Sequence, residues 1–184
     1  MKTDFSPTVQ SEVAPEAVLQ PLTVRKILVA LDQSPAAPSV FQQALSLATV
    51  YQSKLKILSC VSSNSPSTAM APGDFLGAEI YGLDTGAAVL IAEQQMRKSL
   101  EDLQLWLQQY AEVAAREGIA TEFDYLCGEP GPCICDVSQQ WGADLIVVGR
   151  RGRRGLSEML LGSVSNYVLH HAACSVLTVQ GHHS

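Results

Sequence analysis

"VRKILVALDQSPAAPSVFQQALSLATVYQSKLKILSCV", residues 24–61, decides the fold. Apart from Arg25 and Lys26 its first eight residues are an apolar run rich in β-branched side chains, too short for a helix, which reads as a strand buried on both faces. "KLKILSCV", residues 54–61, repeats that pattern. Between them Ser34 can cap a helix and Pro35 fits its first turn, while Val40, Phe41, Ala44, Leu45 and Ala48 make one apolar stripe. Two buried strands joined through a helix run parallel, because a tight hairpin cannot connect them.

The rest of the chain continues the alternation. A long helix is expected over about Ala87–Glu117, with Met96, Leu100, Leu103, Leu107, Tyr110 and Ala114 at steps of three and four and Gly118 as its stop. "IATEFDYLC" alternates like a strand nearer a sheet edge. "PGPCICDVSQQW" reads as a short helix with Ile134, Val137 and Trp141 inward, ended by Gly142. "DLIVVG" is another buried strand, Ser163–His171 a helix and "SVLTV" a last strand. The order β-α-β-α-β-α-β-α-β predicts an α/β fold, a doubly wound five-stranded parallel sheet with helices on both faces. Ligands in such sheets sit at the carboxyl ends of the strands where the strand order switches, which points to Asp32 and Gly149.

One domain fits the 184 residues, over residues 24–180. Residues 1–23, with three prolines and little periodicity, read as a loosely docked tail. Residues 62–86, rich in Ser, Pro and Gly, are too long for a plain connector and read as a variable loop, and 181–184 as a C-terminal tail. Apolar residues make up 47% and charged ones 16%, the balance of a globular chain with a core. No apolar run is long enough to span a membrane and the N-terminus does not read as a signal peptide. Five cysteines, an odd number, argue against a disulfide framework and for a cytoplasmic setting.

The net charge is −6, yet Arg150, Arg151, Arg153 and Arg154 supply four of the twelve basic residues. An acidic body with one basic spot excludes the broad basic face of a nucleic-acid binder and suits one small anion. The spot lies in "VVGRRGRRGLSEMLLGS", where Gly149, Gly152 and Gly162-Ser163 follow a strand and open a helix. Glycines there allow close backbone approach and positive φ, and the helix N-terminus offers amide donors with partial positive charge, an arrangement that fits a phosphate chain. Guanidinium forks match phosphate oxygens. Successive positions of a turn cannot all face one ligand, so one or two arginines, assigned to Arg150 and Arg153, reach the phosphates. The quartet reads equally as a solvated loop or a docking surface for an acidic regulatory protein.

This spacing, with "KILVALDQSPAAPSVFQQALSLA" and "GADLIVVGRRGRRGLSEMLLGSVSNYVLHHAACSVLTV", resembles the ATP-binding branch of the universal stress protein family over about Arg25–Gln180. The resemblance implies a Rossmann-like, adenine nucleotide alpha hydrolase-like fold and a stress-response or signalling module. It sets Asp32 beside the adenosine, flanked by Leu31 and Gln33, and makes Val61 the adenine contact. It sets Gly149, Gly152, Gly162, Ser163, Val164 and Ser165 around the phosphates. ATP is the implied ligand, with AMP or a cyclic adenine nucleotide as the alternative. Mg²⁺ or Mn²⁺ would come with the nucleotide, since no carboxylate cluster is visible. A homodimer through Ser175–Val179 is implied as well, by edge pairing of the last strand.

No Ser/His/Asp set, paired carboxylates or Walker-type lysine stands out, so catalysis is expected to be at most weak ATP hydrolysis or nucleotidyl transfer. Cys133 and Cys135, two apart, point to different sides of a helix and form no pair with each other. His170 and His171 read as a surface helix end, and Trp106, off the main stripe of the long helix, and Trp141, on the stripe of the short one, as packing residues.

Overall fold

The structure, a computed structural model, describes residues 23–62, 85–150 and 161–180. Strand β1 (Lys26–Ala30), helix α1 (Ala37–Tyr51), β2 (Lys54–Val61), α2 (Thr85–Arg116), β3 (Thr121–Cys127), α3 (Pro130–Trp141), β4 (Leu145–Gly149), α4 (Ser163–His171) and β5 (Ser175–Val179) follow one another in the expected alternation. All five strands are parallel in one sheet of order β3-β2-β1-β4-β5.

Alternate residues of β1, β2, β4 and β5 feed two cores, while β3, at the sheet edge, packs only its Phe123 and Tyr125 face against the first. Ile27, Val29, Leu55, Ile57 and Val147 pack against Val40, Phe41, Ala44 and Ala48 of α1 and Leu103, Leu107 and Ala114 of α2. Leu28, Leu58 and Ile146 turn the other way, to Ile134 of α3 and Val168 of α4. The sheet is thus sandwiched between two helical layers. Its central strands are apolar on both sides for that reason.

Punctuation explains most boundaries. Pro130 opens α3, and Gly142 closes it in the left-handed conformation at φ 70°. Gly118, at φ 76°, turns the chain out of α2 toward β3. Asp144 fixes the start of β1 from across the sheet: its carboxylate accepts the backbone N–H groups of Arg25 at 2.7 Å and Lys26 at 2.9 Å.

Three expectations need correction. Ser34 does not cap α1: the helix starts at Ala37 with Ala36 as its N-cap and Pro38, not Pro35, in the first turn. The Ser34 hydroxyl instead donates to Asp32 Oδ1, and its carbonyl accepts the Ala37 N–H. Helix α2 begins at Thr85, so the segment expected as loop ends two residues sooner than 62–86. Trp106 is not off the packed face: it is half-buried against the first core and edge-on to Tyr110, with centroids 5.0 Å apart. Trp141, expected inward with Ile134 and Val137, is half-buried, with the ammonium groups of Lys26 and Lys56 at 5.2 and 5.8 Å from its ring centroid. The expected tails and most of the 62–86 loop lie outside the described residues. Among the described residues no helix is long and apolar enough to cross a membrane.

Candidate functional site

Strand order switches between β1 and β4. From β1 the chain builds outward to β2 and β3, then returns to the other side for β4 and β5. The register that sets Ala30 beside Val148 brings Leu31-Asp32 and Gly149-Arg150 to one edge of the sheet. The crevice between them is the expected ligand position of such a sheet.

A network of backbone bonds holds the β4 side. The Arg150 N–H donates to the Val179 carbonyl at 2.7 Å, and the Arg150 carbonyl accepts the Gly162 N–H at 2.8 Å. The two ends of the glycine-arginine stretch are therefore pinned together. Ser165, 1% exposed, locks the junction from inside: its hydroxyl donates in a shared bond to the carbonyls of Arg150 and Gly162, both at 3.0 Å. Helix α4 begins at this point. Gly162 is its N-cap, at φ −62° and ψ 154°, and no side chain caps it. Its first helical bond runs from the Asn166 N–H to the Gly162 carbonyl at 2.9 Å. The amides of Ser163, Val164 and Ser165 precede that bond and have no acceptor within the helix, so the positive end of α4 points toward the crevice beside Gly149 and Arg150.

The expected site residues divide by what they can present. Asp32 is half-buried and Gln33 and Ser163 are exposed at the crevice, while Arg150 is half-buried. Leu31 is 4% exposed and belongs to the first core, with its N–H donated to the Leu58 carbonyl at 2.9 Å. Val61 packs against the same core at the end of β2, three residues beyond the end of the β1 pairing, and its carbonyl accepts the Gly128 N–H at 2.9 Å. Val164 packs its side chain against the second core. Positive φ is not needed at Gly162, nor at Gly149 within β4. Gly152 and Arg153 lie outside the described residues, as do Arg151 and Arg154.

Among the described residues no three His, Cys, Asp or Glu side chains gather as a metal site. All five cysteines are free. Burial, with Cys133 beside it, pushes the Cys60 thiol up to about 12, and burial also raises Cys135 and Cys174, which lie near each other. Sequence spacing missed both of these neighbour relations.

The fold is a doubly wound α/β sheet with a crevice at the point where its strand order switches. The sequence model of the universal stress protein family matches residues 23–180, and the chain belongs to that family. It is 41% identical over 155 residues to universal stress protein Sll1388 of Synechocystis, covering 84% of this chain and 97% of that protein. Among solved structures, UspA of Lactobacillus plantarum superposes with a TM-score of 0.68 at 23% identity, over 86% of this chain and 99% of the other. A universal stress protein solved in complex with cAMP superposes with a TM-score of 0.55 at 20% identity, over 86% of this chain and 98% of that one.

Proposed function

We propose that this chain binds ATP in the β1/β4 crevice and acts as a nucleotide-dependent module in a stress response. The observation that carries the reading is the uncapped N-terminus of α4, fixed against the end of β4 by the Arg150–Gly162 bond. Three amides without helical acceptors and the positive end of a helix suit a phosphate. Asp32 stands across the crevice where a ribose would lie, above the floor made by Leu31 and beside Gln33, with Val61 at the adenine end. The complex of a family relative with cAMP supports an adenine nucleotide as the ligand class. Gly152 and Arg153 complete the phosphate contacts in this reading. Mg²⁺ or Mn²⁺ would ride on the phosphate oxygens and not on a protein carboxylate cluster.

Two further properties belong to the same proposal. Strand β5 pairs only with β4 among the described residues, and a second copy adding at that edge gives a homodimer. Free cysteines suit a cytoplasmic, reducing setting. Light scattering at micromolar concentration should give twice the chain mass, and a monomer with and without nucleotide refutes the dimer.

Calorimetry with ATP, AMP and cAMP tests the site. Gly162 adopts backbone angles open to any residue, so Gly162→Val keeps the fold while its side chain blocks the approach to the α4 amides. The expected result is ATP affinity lowered at least about tenfold, or ~1.4 kcal/mol. Unchanged affinity in a folded variant overturns the assignment. Tighter binding of AMP or cAMP than ATP makes the protein a receptor for those nucleotides, and phosphate release from ATP would reveal slow hydrolysis.

A further inference from the structure

Cys60 points from β2 toward α3, among the residues that pack against Leu58 and Ile134. Its Sγ lies 3.9 Å from the carbonyl of Pro130, the first residue of α3, and the thiol of Cys133, in the same helical turn, is near enough to add to the upward push on Cys60. Cys133 is seated in turn on Gly128: a Cβ there would stand 2.8 Å from the Cys133 sulfur. Gly128 has φ +155°, which disfavours a side chain independently of the space. The end of β2, the β3–α3 turn and the first turn of α3 thus bring two free thiols together. Cys127 is exposed and, by its pairing with Val61, lies on the opposite face of the sheet from Cys60.

We propose that Cys60 and Cys133 are a modification site for small organic disulfides of the glutathione class, with Cys133 the attacking thiol and Cys60 the resolving thiol. The sulfur of Cys133, deprotonated, attacks one sulfur of the external disulfide. That S–S bond breaks, one thiolate leaves and takes up a proton, and Cys133 carries a mixed disulfide. Cys60 then loses its proton and attacks the Cys133 sulfur, which forms the Cys60–Cys133 bond and expels the second thiol. Two electrons pass from the protein pair to the external disulfide, and the two thiol protons end on the two released molecules.

The order of attack follows from the surroundings. Burial keeps Cys60 protonated, so the first encounter falls to Cys133. Once the mixed disulfide exists, the Cys60 sulfur is a near neighbour of the atom it must attack, and proximity compensates for its small thiolate fraction. The product is neutral, so the internal disulfide escapes the desolvation cost that burial imposes on a thiolate. Bonding draws the thiols to about 2.05 Å, which ties the first turn of α3 to the end of β2 beside Val61.

The test uses the full-length reduced protein without nucleotide, so it is independent of the proposed ligand. Oxidised glutathione is added, the reaction is quenched with acid, remaining thiols are alkylated, and peptides are mapped by mass without reduction. The expected main product is a Cys60–Cys133 cross-linked peptide with no glutathione retained on Cys133. Cys60→Ala should lose the cross-link and accumulate glutathione on Cys133. Cys133→Ala should leave Cys60 unmodified. Stable glutathione on Cys133 of the wild type, a Cys135–Cys174 cross-link as main product, or modification of Cys127 alone would each overturn the proposal. The wild-type map decides even where a variant folds poorly.

Discussion

Gly131→Ala should destabilise the protein through one helix contact. Gly131 lies in the first turn of α3 against Tyr167 of α4. A Cβ there would stand 2.7 Å from Tyr167 Cδ1, 2.8 Å from Cγ and 3.0 Å from Cβ. Carbon atoms pack best at about 3.5–4.0 Å, so the helices or the ring must give by about 1 Å. The ring has little freedom to do so: it stacks on His171 with centroids 4.0 Å apart and an 11° interplanar angle, and rotation about χ1 leaves the Tyr167 Cβ in place. Overpacking of this kind costs about 1–3 kcal/mol. Helix propensity returns at most about 1 kcal/mol for Gly→Ala, and less in a first turn. The net loss should be about 1–2 kcal/mol, read as a lower urea midpoint at constant m or as a melting temperature several degrees lower. In a Tyr167→Ala background both ring contacts are gone and only the 3.0 Å neighbour remains, so the same substitution should cost less than about 1 kcal/mol. An undiminished penalty in that background, or no penalty in the wild type, would refute the contact as its cause.

Ser165→Ala should cost only about 0.5–1.5 kcal/mol in urea unfolding, because the Arg150 and Gly162 carbonyls keep the N–H groups of Gly162 and Asn166 as donors. A loss above about 3 kcal/mol would show that the hydroxyl holds more than this junction. Asp144→Ala removes the acceptor of two backbone N–H groups at an exposed position and should cost about 1–2 kcal/mol, with Asp144→Asn recovering part of it; equal loss in both variants would mean that the charge, not the oxygen, is what β1 uses. Cys60 sets a pH dependence. Its folded thiol is raised to about 12 from an ordinary 9.0, so its contribution is complete below about pH 9 and is lost as pH climbs toward 12, because the unfolded chain ionises first. Urea midpoints from pH 8 upward should fall more steeply in the wild type than in Cys60→Ala, and parallel curves would exclude the effect. At pH 8 the folded Cys60 thiolate fraction is about a thousandfold below that of an ordinary thiol, so iodoacetamide should label it last, and early labelling would contradict its burial.

The parallel sheet was readable because its inner strands are short runs that feed two cores, and the alternating, half-exposed β3 does not look like "KILVA" or "LIVVG". Boundaries were readable where a residue's own backbone dictates them, as at Pro130, Gly142 and Gly118. Strand order was not, since alternation of strands and helices fixes direction but leaves open which side of β1 each later strand joins. Ser34 misled because its hydroxyl had two local acceptors to choose from, and the Asp32 carboxylate won over the helix amides. Leu31 and Val164 turn their side chains to the cores, a fact that a motif read residue by residue does not contain. The thiol contact was invisible for the opposite reason. Spacing drew attention to Cys133 and Cys135, while the partner of Cys133 is on β2 and that of Cys135 is just before β5.

Arg150 shows why the glycine-arginine stretch carries its information at its ends. Its N–H belongs to the sheet through Val179 and its carbonyl belongs to α4 through Gly162 and Ser165, so one peptide on each side of one residue joins β4, β5 and the helix N-terminus. A phosphate site made from helix amides is only as well placed as the helix start, because the field of those amides fades within the first turn. Ser165 supplies the positioning from the buried side, and Gly162, free of any side-chain cap, leaves the outer side open. The same bond to Val179 makes the end of the edge strand part of the crevice wall. A second copy paired along β5 would therefore stiffen the residue at the heart of the proposed phosphate site, and if pairing tightened nucleotide binding there, nucleotide would tighten the pairing by the same free energy, since such coupling is reciprocal.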